Sequence, residues 1–155
     1  MIEKEELASL LPHRGRMLLL SGINGYNLED RSLCAETRIN PDCLFFDPAM
    51  GGVPAWVGFE FLAQAIAALS GLEGREKGEK PKIGFILSVS SLRIGLPFFR
   101  AGSTVQLRVK ESGRMEQVFT FEGEIFSEGR KVLDGKLTIM ETDDEQIKLL
   151  IKEHE

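Results

Sequence analysis

The chain is poor in the residues that build most specialised sites. Its 155 residues include two cysteines, Cys34 and Cys43, and two histidines, His13 and His154. No CxxC pair is present, and four such ligands scattered from residue 13 to residue 154 do not give the tight spacing of a zinc centre, so no metal is expected. The cysteines read as free and cytosolic, serving as small buried hydrophobes. There is no GxSxG, no GxGxxG and no phosphate-binding GxxxxGK[ST], which removes the commonest hydrolase, dinucleotide and nucleotide readings. Basic charge is also in deficit: 19 Lys and Arg against 24 Asp and Glu leave a net charge of −5, unlike the broad positive surface that nucleic acid requires. Nor does the chain open on a basic stretch followed by a long apolar run, because Glu3, Glu5 and Glu6 crowd the first turn. The longest apolar stretch, Val53–Leu69, is interrupted by Glu60 and Gln64, and no membrane span is expected. A cytoplasmic location follows by default.

Hydrophobic residues make up 43% and charged residues 28%, enough apolar material for one packed core. The expected organisation is one domain over residues 1–142 and a tail over 143–155, whose Glu145, Lys148 and Lys152 have helical spacing. Leu7, Leu10 and Leu11 predict a short amphipathic helix over Ile2–Leu11, stopped by Pro12. Met17–Ile23 could be a strand, Asn24-Gly25 and Glu29-Asp30 signal turns, and Arg31–Ile39 alternates as a half-buried strand does. A loop rich in proline and glycine, Asn40–Gly52, precedes a long helix over Val53–Leu72, with Pro54 in its first turn and Gly71 and Gly74 as stop signals. Gly74–Lys80 reads as a charged loop. Strand patterns then cover Ile83–Ile94, Thr104–Glu111, Val118–Phe126 and Lys131–Glu141. One helix that is apolar almost all round needs a sheet wrapped about it, so the fold class is α+β, a curved antiparallel sheet around a central helix.

Glu60 and Gln64 are the sharpest features. They are the only polar side chains between Val53 and Leu69, and the i, i+4 spacing places them on one helix face. Desolvation among Trp56, Phe59, Phe61 and Leu62 should raise the Glu60 pKa, as a general acid working near neutral pH requires. His13, in LPHRGRMLLL, titrates in the range of a general base. Arg14, Arg16, Arg93 and Arg100 lie in or beside loops and together could receive an acidic carrier domain and its phosphate.

Three stretches, LPHRGRMLLL, VPAWVGFEFLAQA and GFILSVSSLRIGLPFFRAGSTVQL, together cover most of residues 10–110. They resemble the hotdog-fold 3-hydroxyacyl-[acyl-carrier-protein] dehydratases. The wording is nearer still to a divergent dehydratase-like branch of aryl-polyene and related polyketide clusters. The resemblance implies a hotdog fold, paired subunits with active sites at their interface, and no cofactor, the substrate being carried on phosphopantetheine. It implies Glu60 as the acid that protonates the leaving 3-hydroxyl, Ala55 as the amide that polarises the thioester carbonyl, and Gln64 as the residue that orients Glu60. Leu44, Phe45, Phe46, Trp56 and Phe98 would line the acyl tunnel. One position departs from the family. Its base histidine lies fourteen residues before the helix glutamate, where this chain has Phe46. His13 is the replacement expected, with Asp47 next in line. The lead expectation is therefore dehydration of 3-hydroxyacyl thioesters, on acyl carrier protein or coenzyme A, to trans-2-enoyl thioesters. The alternatives are a non-catalytic hotdog partner or carrier-binding subunit, and an acyl thioesterase. Homodimer and heterodimer both remain open.

Overall fold

In the computed structural model, which describes residues 1–80 and 82–142, a single long helix lies in the concavity of an antiparallel sheet. The chain opens with β1 (Ile2–Glu3) and α1 (Lys4–Leu7), then runs through a 3-10 turn at Gly15–Met17 into β2 (Gly22–Asn27) and β3 (Ser32–Arg38). After β4 (Gly52–Pro54) and a second 3-10 turn at Ala55–Val57 comes the long helix α2 (Gly58–Glu76). β5 (Ile83–Ile94), β6 (Phe98–Arg100), β7 (Thr104–Met115), β8 (Val118–Ser127) and β9 (Arg130–Thr142) follow. Seven strands form the main sheet in the order β1-β2-β3-β7-β8-β9-β5, while β4 and β6 pair separately beside the helix start. This is the architecture expected of a hotdog fold. The charge spacing and His154 noted in 143–155 lie outside the described residues.

Alternation on the strands explains the core. Val105, Leu107 and Val109 of β7, Phe119, Phe121 and Ile125 of β8, and Leu133, Leu137 and Ile139 of β9 all point inward and are buried. They meet Phe61, Leu62, Ala65, Ile66, Ala68, Leu69 and Leu72 of α2. The 22-residue segment Ala55–Glu76 is long and apolar enough to cross a membrane, with an 18-residue window of mean hydropathy 1.4, but 67% of that window is buried within the fold. It is a core helix.

Several local expectations are corrected. Gly71 and Gly74 do not stop α2, which continues to Glu76. A Cβ at Gly71 would stand 2.0 Å from the Leu10 carbonyl oxygen, so glycine serves close packing here rather than termination. Pro54 ends β4 instead of starting the helix. The expected N-terminal helix is only Lys4–Leu7, preceded by β1. Of the expected strand Met17–Ile23 only Gly22 and Ile23 are strand, and Asn24-Gly25 lies inside β2 at an irregularity in its pairing with β3 instead of making a turn.

β5 is one of the two outer strands of the main sheet and, among the described residues, pairs only with β9. Along it Phe85, Leu87, Leu92 and Ile94 are exposed, with 54% of Leu87 accessible.

Candidate active site

The site is built along one face of α2. Glu60, Ala63, Ala67 and Ser70 recur at i, i+3, i+7 and i+10 and stay half-buried while the rest of the helix is largely enclosed. They border a cavity of about 130 Å³, with Ile66, and with Gly84, Ile86, Ile139 and Glu141 from the paired strands β5 and β9. Pro12 and His13 complete the lining from the N-terminal loop. The cavity therefore brings together His13 and Glu60, forty-seven positions apart in sequence.

The loop is held in place by Gln64. Its Oε1 accepts the Leu19 N–H at 2.8 Å, and its Nε2 donates to the Met17 carbonyl at 2.7 Å. Both ends of the buried amide are thus engaged with the backbone just beyond His13, which corrects the expectation that Gln64 orients Glu60 by a hydrogen bond. The apolar run Met17–Leu20 needs no strand partner because this side chain satisfies part of its backbone. Arg14 curls the same loop by donating through Nη1 to the carbonyls of Leu11 and His13 at 2.5 and 2.7 Å. Arg16 ties it to the next loop through Asp42 and Cys43 carbonyls at 3.2 and 3.5 Å.

Burial moves the two titrating groups in opposite directions. Desolvation raises the Glu60 carboxyl above its ordinary pKa. Desolvation, helped by the nearby Arg14 cation, lowers the His13 imidazole below its own. Both shifts favour the neutral form of each group. The His13 Nδ1 is buried and has no hydrogen-bond partner. No ion pair or hydrogen bond joins His13 to Glu60.

Other expected residues lie elsewhere. The Ala55 N–H donates to the Pro97 carbonyl at 3.1 Å, so that amide is already engaged and is not poised for a thioester oxygen. The aromatic residues gather at the start of the helix. Phe45 meets Trp56 edge to face with ring centres 6.0 Å apart, and Trp56 lies 6.2 Å from Phe59. Leu44 sits at the surface, Phe46 packs half-buried against the core, and Phe98 pairs with Pro54 across the β4–β6 ladder. Leu44, Phe45, Phe46, Trp56 and Phe98 do not line the His13–Glu60 cavity, which extends along positions 60–70. Its apolar walls are Ala63, Ile66, Ala67, Ile86 and Ile139 instead. Asp47 shapes its own loop, its carboxylate accepting the Ala49 N–H at 2.9 Å. The four arginines do not act as one patch: Arg14 and Arg16 flank His13, Arg93 pairs with Asp134 at 2.9 Å, and Arg100 with Glu128 at 3.4 Å.

Ser70 and Glu141 were not singled out from the sequence. Both were legible: Ser70 is the next polar position of α2 after Gln64, and Glu141 continues the inward register of Leu137 and Ile139. Among the described residues, no cluster of three or more His, Cys, Asp or Glu could hold a metal ion.

The ApeP-like family, described as ApeP dehydratase, matches residues 5–150. The chain belongs to this family. It is a hotdog-fold dehydratase, and the reading made from its three motifs stands. The 3-hydroxyacyl-[acyl-carrier-protein] dehydratase FabZ of Chlamydia trachomatis serovar L2 is 30% identical over 111 residues, 70% of this chain and 71% of that one. FabZ of Bradyrhizobium sp. is 24% identical over 144 residues, 92% of this chain and 93% of the relative. Among solved structures, the dehydratase heterocomplex ApeI:P from Xenorhabdus doucetiae superposes with a TM-score of 0.85 at 26% identity, covering 94% of this chain and 96% of that one. A hypothetical thioesterase with coenzyme A from Streptococcus pneumoniae TIGR4 reaches a TM-score of 0.59 at 14% identity, over 78% of this chain and 87% of that one. That likeness shows the shared fold alone.

Proposed function

We propose that this ApeP-like chain removes water from 3-hydroxyacyl thioesters carried on a phosphopantetheine arm, giving trans-2-enoyl thioesters. The observation that carries the reading is the single cavity lined by His13 and Glu60, with burial holding each toward its neutral form. Neutral His13 takes the C2 proton as the C2=C3 bond forms. Glu60 gives its proton to the departing 3-hydroxyl, the C3–O bond breaks, and water leaves. The thioester oxygen needs a donor other than the Ala55 amide, which is engaged by the Pro97 carbonyl. No diffusible cofactor is required by these steps. The substrate arm belongs to an acyl carrier protein or to coenzyme A, and Arg14 and Arg16, beside His13, are the cations that meet its phosphate. A protein using such carriers works in the cytoplasm.

A second reading concerns the base. Phe46 occupies the position of the family histidine, and one structure that this chain resembles, ApeI:P, is a heterocomplex. In this reading a second hotdog subunit pairs along the open β5 edge and supplies a histidine to Glu60. The test is mass spectrometry of a 3-hydroxyacyl carrier mixed with the chain, alone and with a related hotdog subunit. Loss of one water supports dehydration, and release of free acid overturns it in favour of hydrolysis. Activity that survives His13→Ala but needs the second subunit assigns the base to that subunit.

A further inference from the structure

Away from the cavity, the residue that breaks most local rules is Arg31. It closes the turn between β2 and β3, where the Asn27 side-chain oxygen accepts the Glu29 and Asp30 N–H groups at 2.8 and 3.3 Å. Its φ is 53°, in the left-handed region that a long side chain adopts only at a cost. The side chain does not turn to water, since Arg31 is only 6% exposed. Its guanidinium lies against the rings of Phe119 and Phe121, 5.5 and 6.0 Å from their centres. Nη1 donates to the Glu73 carboxylate near the end of α2, and Nε stands 3.5 Å from Glu111 of β7. Nε and Nη2 are buried without a hydrogen-bond partner among the described residues. A buried cation so poorly satisfied persists only where its ion pairs hold it. The helix end needs such a grip. Gly71 and Gly74 flank Glu73, and two glycines within four residues make the last turn weak on its own. Beyond it the chain reverses at once, the Glu79 N–H donating to the Gly74 carbonyl at 2.8 Å, and β5 starts at Ile83.

We propose that Arg31 is a latch: its ion pair with Glu73 holds the last turn of α2 and the reversal after it against the sheet, and breaking that pair releases this segment as a unit while the sheet stays folded. The latch is braced from both sides. Lys77 stands 3.5 Å from the other oxygen of Glu73, while Arg114 reaches Glu111 at 3.2 Å and covers the Phe119 ring at 4.7 Å. The charged groups around Glu73 are thus Lys77 of its own helix, Arg31 of the turn, and Glu111 and Arg114 of β7, while β8 brings only its two rings. Burial pushes the Glu73 carboxyl up, but the Arg31, Lys77 and Arg114 cations outweigh it and hold its pKa below the ordinary value. The latch is therefore closed at neutral pH and opens in acid. Because β5 follows this segment, the latch also governs how the chain enters the open edge of the sheet.

The test is residue-resolved amide hydrogen exchange on the full chain in the assembly it forms. Arg31→Met and Glu73→Gln should each lower protection of the Leu72–Glu76 amides at least about tenfold, and that of the Leu107 and Phe121 amides less than about twofold. The double variant should be no worse than the worse single one, because the pair acts as a unit. The pH dependence has a definite sign. A carboxyl whose folded pKa is lowered contributes stability that is present above its unfolded value of about 4.3 and is lost as pH falls through the folded value. Protection of the helix end, corrected for intrinsic exchange, should drop over that window in the wild type and not in Glu73→Gln. Wild-type protection of the helix end in Glu73→Gln overturns the proposal. So does a loss spread equally over β7 and β8, which makes Arg31 a brace of the whole core, and so do additive losses in the double variant. Should Arg31→Met fail to fold, Glu73→Gln and the pH series on the wild type still decide.

Discussion

Replacing Gln64 by leucine tests whether the acid-bearing helix also fixes the loop that carries His13. Leucine keeps most of the volume and removes both hydrogen bonds, leaving the Leu19 N–H and the Met17 carbonyl without that partner. An orphaned buried polar group costs about 1–3 kcal/mol. Met17 is largely exposed and its carbonyl can recruit water, whereas Leu19 is half-buried. The sum should therefore fall near the low end, about 2–3 kcal/mol, against a total stability of about 5–15 kcal/mol. For a chain of this length that lowers Tm by about 5–10 °C. Thermal melts of wild type and variant in the same assembly check the magnitude, and amide exchange at Leu19 checks the place, since its protection should drop more than that of the β7–β8 core. Turnover should fall as well, because His13 loses its fixed position. A Tm within a degree of wild type, or unchanged exchange at Leu19, would refute the idea that this amide holds the loop.

Glu60→Gln should leave the fold intact and lower turnover by about 10²–10⁴, the range for a lost general acid, as steady-state kinetics on a 3-hydroxyacyl carrier will show. Its effect on stability has a definite sign. A carboxyl whose folded pKa is raised helps the folded state most below its unfolded value of about 4.3, and that help is lost as pH rises through the folded value. The wild type should thus lose stability over that window relative to Glu60→Gln, which denaturant titrations at several pH values will detect. For His13 the shift is downward, so kcat/KM should fall on the acid side at a pH below about 6.5, and His13→Ala should remove that limb along with most activity. Gly71→Ala should destabilise by at least about 1–3 kcal/mol in chemical denaturation, because the new methyl meets the Leu10 backbone and not a movable side chain. Charge reversal at both Arg14 and Arg16 should weaken carrier binding and flatten its salt dependence, and unchanged affinity would leave them as braces of their own loop.

The sheet and its helix were legible because their periodicities are strong. The alternation in 104–111, 118–126 and 131–141 marks β7, β8 and β9, and the near-continuous apolar run after Val53 has only one way to be buried. What sequence could not supply was the partner of each local signal. Gly71 carries the composition of a helix stop, yet the close approach of Leu10 that explains it comes from sixty-one positions away. Met17–Leu20 looks like a strand until Gln64 is seen satisfying its backbone. Glu60 and His13 could be singled out as candidates because a carboxyl inside an apolar helix and a titratable imidazole in an apolar loop each stand out, and they line one cavity. The engagement of Ala55 with Pro97, the clustering of Phe45 and Trp56 away from Glu60, and the dispersal of the four arginines depend on distances that no motif encodes.

The open edge of β5 has a consequence for how the protein is made. Unsatisfied backbone groups beside exposed Phe85, Leu87, Leu92 and Ile94 form a template that any extended apolar segment can join. A freshly synthesised chain therefore carries a sticky border until a proper companion covers it. Left uncovered, that border should drive association at high protein concentration, whether with a second copy of the chain or with another subunit, and light scattering over a concentration series will show it.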